Sequence, residues 1–488
     1  MSVVQEVCSM MNRRSFLRCA AGLPVAAVQG RPSRPPNVVF ILIDDYGWRD
    51  TGYNGSRFYE TPNIDSLARS GMVFTDGYSA SPVCSPTRAA IMTGKYPARL
   101  HLTAHLQGAT NRLHYSRVLQ PNARLELPLE EVTIAELLRR RGYRTACIGK
   151  WHLGKTGFLP SDQGFDVAFA GDEAGSTNSF FYPQWKKKIP LEGRDGDYLT
   201  DRLTALAVDF IRENKDRPFF LYLAHFAVHI PIEAKPEKIA KYAAKSNPAD
   251  PQNYADYGAM IESMDESVGR VLNALKQLAL EEDTLVFFTG DNGGVTSREW
   301  KNRPITSNLP LRSGKGHLYE GGIRVPTAVR WPGHIRAGST CRHPILSIDY
   351  APTIAEVAQV PKAGMPAMDG RSITRLLRGA PSLDRREIFW SFPHYSPQLG
   401  KPSAAIRRGD DKLILFFEDR RAELYDLRHD PGETRDLAAS QPEKAAGLRR
   451  RLETWLRDTN AQLPLPNSNY DAARELEPGA PFGPVTAK

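Results

Sequence analysis

The chain lacks any apolar run approaching 20 residues and its mean hydropathy is −0.42, which excludes a polytopic membrane protein. Cysteine is scarce: five in 488 residues cannot build a disulfide framework for a chain this long. There is no internal repeat and no low-complexity block, and 41% hydrophobic with 24% charged residues excludes wholesale disorder. Acidic excess is also missing. Lysine and arginine number 64 against 55 acids, a net charge of +9, which favours a polyanionic partner such as nucleic acid, an anionic glycan or a membrane surface. The basic residues come only in short clusters (Arg139 to Arg141, Lys186 to Lys188, Arg449 to Arg451), which read as solvated helix faces. With no recognised module and no platform of interleaved aromatics, no nucleic-acid partner is expected.

At the start, Asn12-Arg13-Arg14-Ser15-Phe16-Leu17-Arg18 precedes a weak apolar stretch from Cys19 to Val28, interrupted by Gly22 and Pro24. This resembles a bacterial twin-arginine export signal. It predicts a signal segment over residues 1–30, a linker over 31–36, the export machinery as a partner, and a periplasmic or secreted location. Cys8 and Cys19 fall in that segment, leaving Cys84, Cys147 and Cys341. An odd number in an exported protein calls for a reason.

Downstream, Val38 to Ile43, Phe219 to Leu223 and Leu285 to Phe288 are continuous apolar runs of buried-strand character, with Thr145 to Ile148 a weaker fourth. Helical spacing recurs through Tyr257, Met260, Ile261, Met264, Val268, Val271, Leu272 and Leu275, and over Val132 to Arg141 before Gly142. Strands alternating with helices predict an α/β sheet covered on both faces. After about Glu387 the texture changes to short strands (Ile388 to Phe392, Ala404 to Arg407, Leu413 to Phe417) and one helix, Glu443 to Arg457. The expected division is a large domain over 37–384 and a small α+β domain over 385–488.

Each apolar strand runs into reactive residues: Asp44-Asp45, Lys150-Trp151-His152, His229 and Asp291-Asn292. Ligands of open α/β sheets sit beyond the carboxyl ends of the strands, so parallel neighbours would gather these groups on one edge. A single Asp pair after a strand is commonly a helix cap or turn. Two such pairs on two strands form an oxygen-only set that suits Ca²⁺ or Mg²⁺ better than zinc. Cys84-Ser85-Pro86-Thr87-Arg88 reads as a helix start. There the helix dipole and free N–H groups favour an anion, and Arg88 lies one turn on.

Cys84-Ser85-Pro86-Thr87-Arg88 with Thr93-Gly94 resembles the C-x-P-[ST]-R…T-G signature of type I sulfatases, members of the alkaline-phosphatase-like superfamily. Gly149-Lys150-Trp151-His152-Leu153-Gly154 is similar to their GKWHLG segment. Lys315-Gly316-His317-Leu318-Tyr319-Glu320-Gly321-Gly322-Ile323-Arg324-Val325-Pro326 is similar to their K-G-x-x-x-E-G-G-x-R-V-P segment. Glu423-Leu424-Tyr425-Asp426-Leu427, with Asp430, Pro431 and Glu433, also fits, so the likeness runs from about Asn37 to Leu437. It implies a large, mixed, mostly parallel sheet between helices, with an antiparallel sheet in the smaller C-terminal part.

The resemblance further implies that Cys84 is oxidised to formylglycine by a maturation enzyme, and that the aldehyde rests as a geminal diol. One hydroxyl, ionised beside a divalent cation, attacks sulfur and expels the alcohol; the second eliminates sulfate and restores the aldehyde. Asp44, Asp45, Cys84, Asp291 and Asn292 would hold Ca²⁺, and Arg88 would hold the ionised diol. Lys150 and Lys315 would neutralise sulfate oxygens, His229 would protonate the leaving oxygen, and His152 would take the second hydroxyl's proton. The expected substrate is a sulfated carbohydrate or aryl sulfate. The alternatives are a phosphonate monoester or phosphodiester hydrolase on the same scaffold, and a non-catalytic binder of sulfated glycans. His225 reads as structural, His317 as loop, and Gly290 stands where many relatives carry serine. Ser176, Thr177 and Asn178 are candidates for a further sulfate contact. Specificity loops are expected around Leu100 to Arg124 and Ser176 to Asp197.

Overall fold

The computed structural model describes residues 34–106, 113–297, 301–384 and 387–475. The twin-arginine segment lies outside these residues, as does part of the first specificity loop. Among the described residues no helix is long and apolar enough to cross a membrane.

The run Asn37–Ile43 is buried at every position, as a strand covered on both faces must be. It is the centre of an eight-stranded sheet ordered Ser339–Cys341, Met72–Phe74, Thr327–Arg330, Thr284–Gly290, Asn37–Ile43, Phe219–Ala224, Arg144–Gly149, Val167–Phe169. Every pairing is parallel except the two made by Thr327–Arg330, so the sheet is mixed but mostly parallel. The register aligns the strand ends: Ile43 lies opposite Gly290, Leu42 opposite Ala224, and Ala224 opposite Gly149. The residues that follow these strands therefore emerge at one level.

Alternate residues of the central strands feed two cores. Val39, Ile41 and Ile43 join the helices Leu199–Glu213 and Ala255–Gln277 on one face. Val38, Phe40 and Leu42 meet Cys84–Thr93, Ile134–Arg140 and Tyr350–Val357 on the other. The helix expected over Val132 to Arg141 begins at Ile134 because Thr133 and Glu136 form a reciprocal capping box.

A four-stranded antiparallel sheet follows: Glu387–Phe392, Ser403–Arg408, Asp411–Phe416 and Ala422–Asp426. The fourth strand was not expected as a strand; its segment is only five residues long and holds no apolar run. Helix Pro442–Asp458 covers the sheet through Leu448, Leu452 and Leu456, in a core that also takes in Tyr78, Leu318 and Ile323. A buried ionic network ties the two sheets. Arg324 and Arg407 both bind Asp76, and Glu320 receives Tyr78 Oη at 2.6 Å and Lys412 Nζ at 2.8 Å.

Candidate active site

Asp44, Lys150 and Asp291 are the first residues past three of the aligned strands, and all are fully buried. Backbone bonds knit these ends together: Asp291 N–H donates to Ile43 O (3.0 Å), Lys150 N–H to Ala224 O (2.8 Å) and Asp44 N–H to Ala227 O (3.0 Å). Asp45 and His152 both sit at φ 57, a left-handed backbone that side chains adopt at some cost. The residues expected to converge from four strands do converge, with His229 brought in by the turn after Phe219–Ala224.

Cys84 opens the helix Cys84–Thr93, whose N-cap Val83 supplies no side-chain acceptor, so no side chain competes for the N–H groups of the first turn. Thr87 Oγ1 donates to Ser81 O at 3.1 Å and fixes the loop that delivers Cys84. Cys84 Sγ lies 3.3 Å from His152 Nδ1. Arg88, one turn on and fully buried, donates from Nε (3.0 Å) and Nη2 (2.7 Å) to Asp291 Oδ2 and from Nη1 to Lys150 O (2.7 Å).

Lys150 Nζ donates to Asp44 Oδ2 at 2.6 Å, and Lys315 Nζ to Asp45 Oδ2 at 2.7 Å and to the His229 ring at 3.2 Å. Lys315 arrives on a loop that folds back on itself; a side chain at Gly322 would meet His317 O at 2.0 Å, which accounts for the glycine there. Burial, then Asp291, pushes the Asp44 carboxyl up to about 8. Burial also raises Asp45, but Lys315 and then His229 outweigh it and hold that carboxyl below its usual range. His152 and His229 are driven toward the neutral form by burial, then by Lys150 and Lys315 respectively; His229 falls to about 3. Burial raises the Cys84 thiol.

These groups line one end of a cleft of about 210 Å³, walled by Cys84, His152, His229 and Lys315. The rest of its wall includes His105, Ser176 and Gln398, of which sequence reasoning singled out only Ser176. His105 falls within the expected specificity loop Leu100 to Arg124 without being singled out there, and nothing in the pattern around Gln398 marks it, because tertiary packing brings it in. Of the three alternative polar residues, Ser176 faces the cleft, Thr177 is buried and donates to Ser179 O, and Asn178 is exposed. His225 is fully buried against Ser267 Oγ at 2.9 Å, as a structural histidine would be. His317 lies in a loop and bonds Gln398 O at 2.9 Å. The Lys186 to Lys188 cluster is not uniformly solvated: Lys188 turns inward.

The site has the donors for a hard cation. One ligand atom each from Asp44, Cys84 and Asp291 lie within 4.8 Å of one another, and so do those of Asp44, Asp45 and His229. Among the described residues, Asp44 Oδ1 and Asn292 Oδ1 are buried acceptors with no hydrogen-bond partner, an expensive arrangement that a cation would relieve. Asn292 Nδ2 is meanwhile spent on Asp45 Oδ1 (2.8 Å) and Gly293 O (3.1 Å), which fixes the amide with its oxygen free. The residues present therefore fit Ca²⁺ or Mg²⁺.

A buried acidic cluster beside a helix-borne cysteine, at the carboxyl edge of a parallel sheet and flanked by lysines, defines an enzyme for anionic ester substrates. The chain belongs to the sulfatase family: residues 36–360 match the family model described as Sulfatase, and residues 313–462 match that described as N-sulphoglucosamine sulphohydrolase, C-terminal. Human arylsulfatase A is 35% identical over 96% of this chain and 93% of its own length. Mouse N-acetylgalactosamine-6-sulfatase is 33% identical over 78% of this chain and 73% of its own. Among solved structures, Ps i-CgsB in complex with k-i-k-neocarrahexaose superimposes with a TM-score of 0.74 at 31% identity, covering 90% of this chain and 96% of that one. The protein is thus a sulfatase, and its fold is alkaline-phosphatase-like.

Proposed function

We propose that this sulfatase hydrolyses sulfate esters of carbohydrates, with Ca²⁺ as cofactor and a formylglycine hydrate derived from Cys84 as nucleophile. The observation that carries the reading is the placement of Cys84 Sγ at a helix start, 3.3 Å from His152 Nδ1 and grouped with Asp44 and Asp291. A thiol pushed toward its neutral form by burial is a poor nucleophile and a soft ligand in an otherwise oxygen-rich set; an oxygen-bearing hydrate in its place completes that set. Asp44, Asp45, Asp291 and Asn292, with the residue at position 84, would hold the ion, which lowers the pKa of a bound hydroxyl and adds positive charge.

The charge balance favours an anionic substrate. Three carboxylates (Asp44, Asp45, Asp291) face three fixed cations (Arg88, Lys150, Lys315), so a divalent ion leaves an excess of positive charge for a sulfate ester. Arg88 fixes Asp291 and supplies charge behind the hydrate. Lys150 and Lys315, which hold Asp44 and Asp45 at 2.6 and 2.7 Å, would be available to neutralise sulfate oxygens once those carboxylates held the ion. His152, neutral and beside position 84, accepts the proton of the second hydroxyl. His229, whose Nδ1–H donates to Ile230 O (2.8 Å), keeps Nε2 3.2 Å from Lys315 Nζ and would pass a proton from that ammonium to the leaving oxygen. The same proposal includes twin-arginine export of the folded protein after maturation, and a division into parts 37–384 and 385–488.

Peptide mass spectrometry across Cys84, on protein made with a formylglycine-generating enzyme, tests the nucleophile. Aldehyde at position 84, turnover of 4-nitrophenyl sulfate well above that of a matched aryl phosphonate, and loss of turnover in Cys84→Ala are expected. An unmodified, active Cys84 would overturn the mechanism, and preference for the phosphonate would overturn the substrate class.

A further inference from the structure

Beyond Cys84, His152, His229 and Lys315, the cleft has a second stretch of wall made by His105, Gly175, Ser176, Ile230, Pro397 and Gln398. This stretch contains no acid, lysine or arginine, and Ile230 and Pro397 give it apolar surface. His105 is held within it from both sides. Two residues earlier, buried Thr103 places its Oγ1 2.8 Å from His394 Nε2, just past the antiparallel strand Glu387–Phe392. One residue later, Leu106 N–H donates to Ser85 Oγ at 3.3 Å, next to Cys84 on the helix Cys84–Thr93. Further back, His101 Nε2–H donates to Asn460 O at 2.8 Å, and His101 O accepts from Arg124 N–H at 2.8 Å. The segment is thus tied at once to the helix that carries Cys84 and to the C-terminal part, and the ring between the ties lines the cleft.

The two other histidines of the cleft are engaged: His152 with Cys84 Sγ, His229 with Ile230 O and Lys315 Nζ. The His105 ring, half-buried, has no hydrogen-bond partner among the described residues. Burial, then the charges of Lys315 and Lys150, lower it to about 4, so the imidazole is neutral near pH 7. A neutral imidazole offers one N–H donor and one nitrogen acceptor, and a hydroxyl is likewise donor and acceptor, so the two pair at either nitrogen. A polar ring turned into a cleft without a protein partner gains a hydrogen bond only from what enters that cleft.

We propose that His105 is a specificity-determining residue that hydrogen-bonds an unsubstituted hydroxyl next to the ester being cleaved. The inference rests on the sulfatase reading and deepens it: the favoured leaving alcohol is one half of a vicinal diol, and an ether or second ester at the neighbouring oxygen removes the contact. The lysines that bind Asp44 and Asp45 serve the sulfate, whereas selection among alcohols falls to an uncharged group.

The test compares kcat/KM for 2-hydroxyphenyl, 2-methoxyphenyl and phenyl sulfate on the Cys84-converted enzyme near pH 7, followed by released sulfate. In the parent, the 2-hydroxyphenyl ester should exceed both others by about tenfold, the worth of one well-made hydrogen bond. In His105→Ala that preference should fall below about threefold, and His105→Gln, which keeps a donor and an acceptor, should retain part of it. Each ratio is taken within one variant, so differences in the amount of folded, converted enzyme cancel. A purely structural role would lower all three esters alike and leave the ratio at its parent value. No hydroxyl preference in the parent, an undiminished one in His105→Ala, or loss of all three activities in both variants overturns the assignment. Absence of sulfate release from every ester by the parent despite a converted Cys84 would instead sink the sulfatase reading itself.

Discussion

Arg88 and Asp291, 203 residues apart, meet through a single carboxylate oxygen: Nε and Nη2 of the guanidinium both donate to Oδ2, at 3.0 and 2.7 Å, with both side chains fully buried. The pair joins the signature helix to the end of the strand Thr284–Gly290, and leaves Asp291 Oδ1 to accept from Asp45 N–H at 3.1 Å. Arg88 is thus a brace between the proposed nucleophile and a proposed metal ligand.

Removing one partner of such a pair leaves a buried charge without compensation. Arg88→Ala should lower unfolding free energy by about 3–5 kcal/mol and abolish sulfate-ester turnover. Arg88→Lys, which cannot place two donors on one oxygen while reaching Lys150 O, should recover part of the stability and little of the activity. Chemical denaturation of the two variants checks this; a loss under about 1 kcal/mol in Arg88→Ala would show the pair to be near neutral.

Asp44 Oδ1 and Asn292 Oδ1, without a hydrogen bond among the described residues, give a second expectation. Chelation should abolish turnover and lower the thermal midpoint, and Ca²⁺ should restore both better than Zn²⁺, given the oxygen-rich set. An ion present at about 100 times its dissociation constant adds about 2.7 kcal/mol to stability. Asn292→Ala should need more Ca²⁺ for the same midpoint. A midpoint indifferent to chelator and calcium would argue against a resident ion.

The buried network under the antiparallel sheet carries a pH dependence. Lys412 Nζ lies 2.8 Å from both Glu320 Oε1 and Glu433 Oε1, with all three side chains unexposed. Burial pushes the Glu433 carboxyl from 4.5 up to about 7, against the pull of Lys412. A raised acid holds its proton in the folded state, so this contribution is complete below the unfolded value and lost as pH rises through about 7. Burial raises Glu320 too, but Lys412, Arg324 and Arg407 outweigh it, so its contribution is present above 4.5 and lost as the solution becomes strongly acid. Unfolding midpoints should therefore decline from about pH 5 to about pH 8.5, and Glu433→Gln should flatten that decline. Equal slopes in parent and variant would remove Glu433 as the cause.

Much of this site could be read from the chain because each central strand is a short apolar run that stops at a polar residue of catalytic type. Asp44, Lys150 and Asp291 were visible as strand ends, and the aligned register explains why strand ends became neighbours. The edge of the sheet was not visible. Met72–Phe74 and Ser339–Cys341 are three-residue strands with no periodicity to detect, and the antiparallel Thr327–Arg330 follows a motif noticed for other reasons. Arg324 within that motif pairs with Asp76, a partner 248 positions away that no local pattern marks. Lys188 shows the limit most clearly: three adjacent lysines look alike in sequence, and only the burial of Trp185 and Ile189 decides which one turns inward to Ser176.

Gly175 supplies a test of the His152 position that leaves the histidine itself intact. A Cβ at residue 175 would lie 2.6 Å from both Cε1 and Nε2 of the His152 ring, so Gly175→Ala must push the imidazole aside and lengthen its 3.3 Å approach to position 84. If His152 moves the proton of the second hydroxyl, kcat should fall by about 10²-fold, within the range of a lost acid–base group, with a smaller change in KM. His152→Ala opens the space that the new methyl needs. The double variant should then be no slower than His152→Ala alone, a non-additive pair through a shared contact. Fully additive losses would mean that Gly175→Ala disturbs the cleft by another route, and that the proximity of this ring to position 84 is not what the reaction uses.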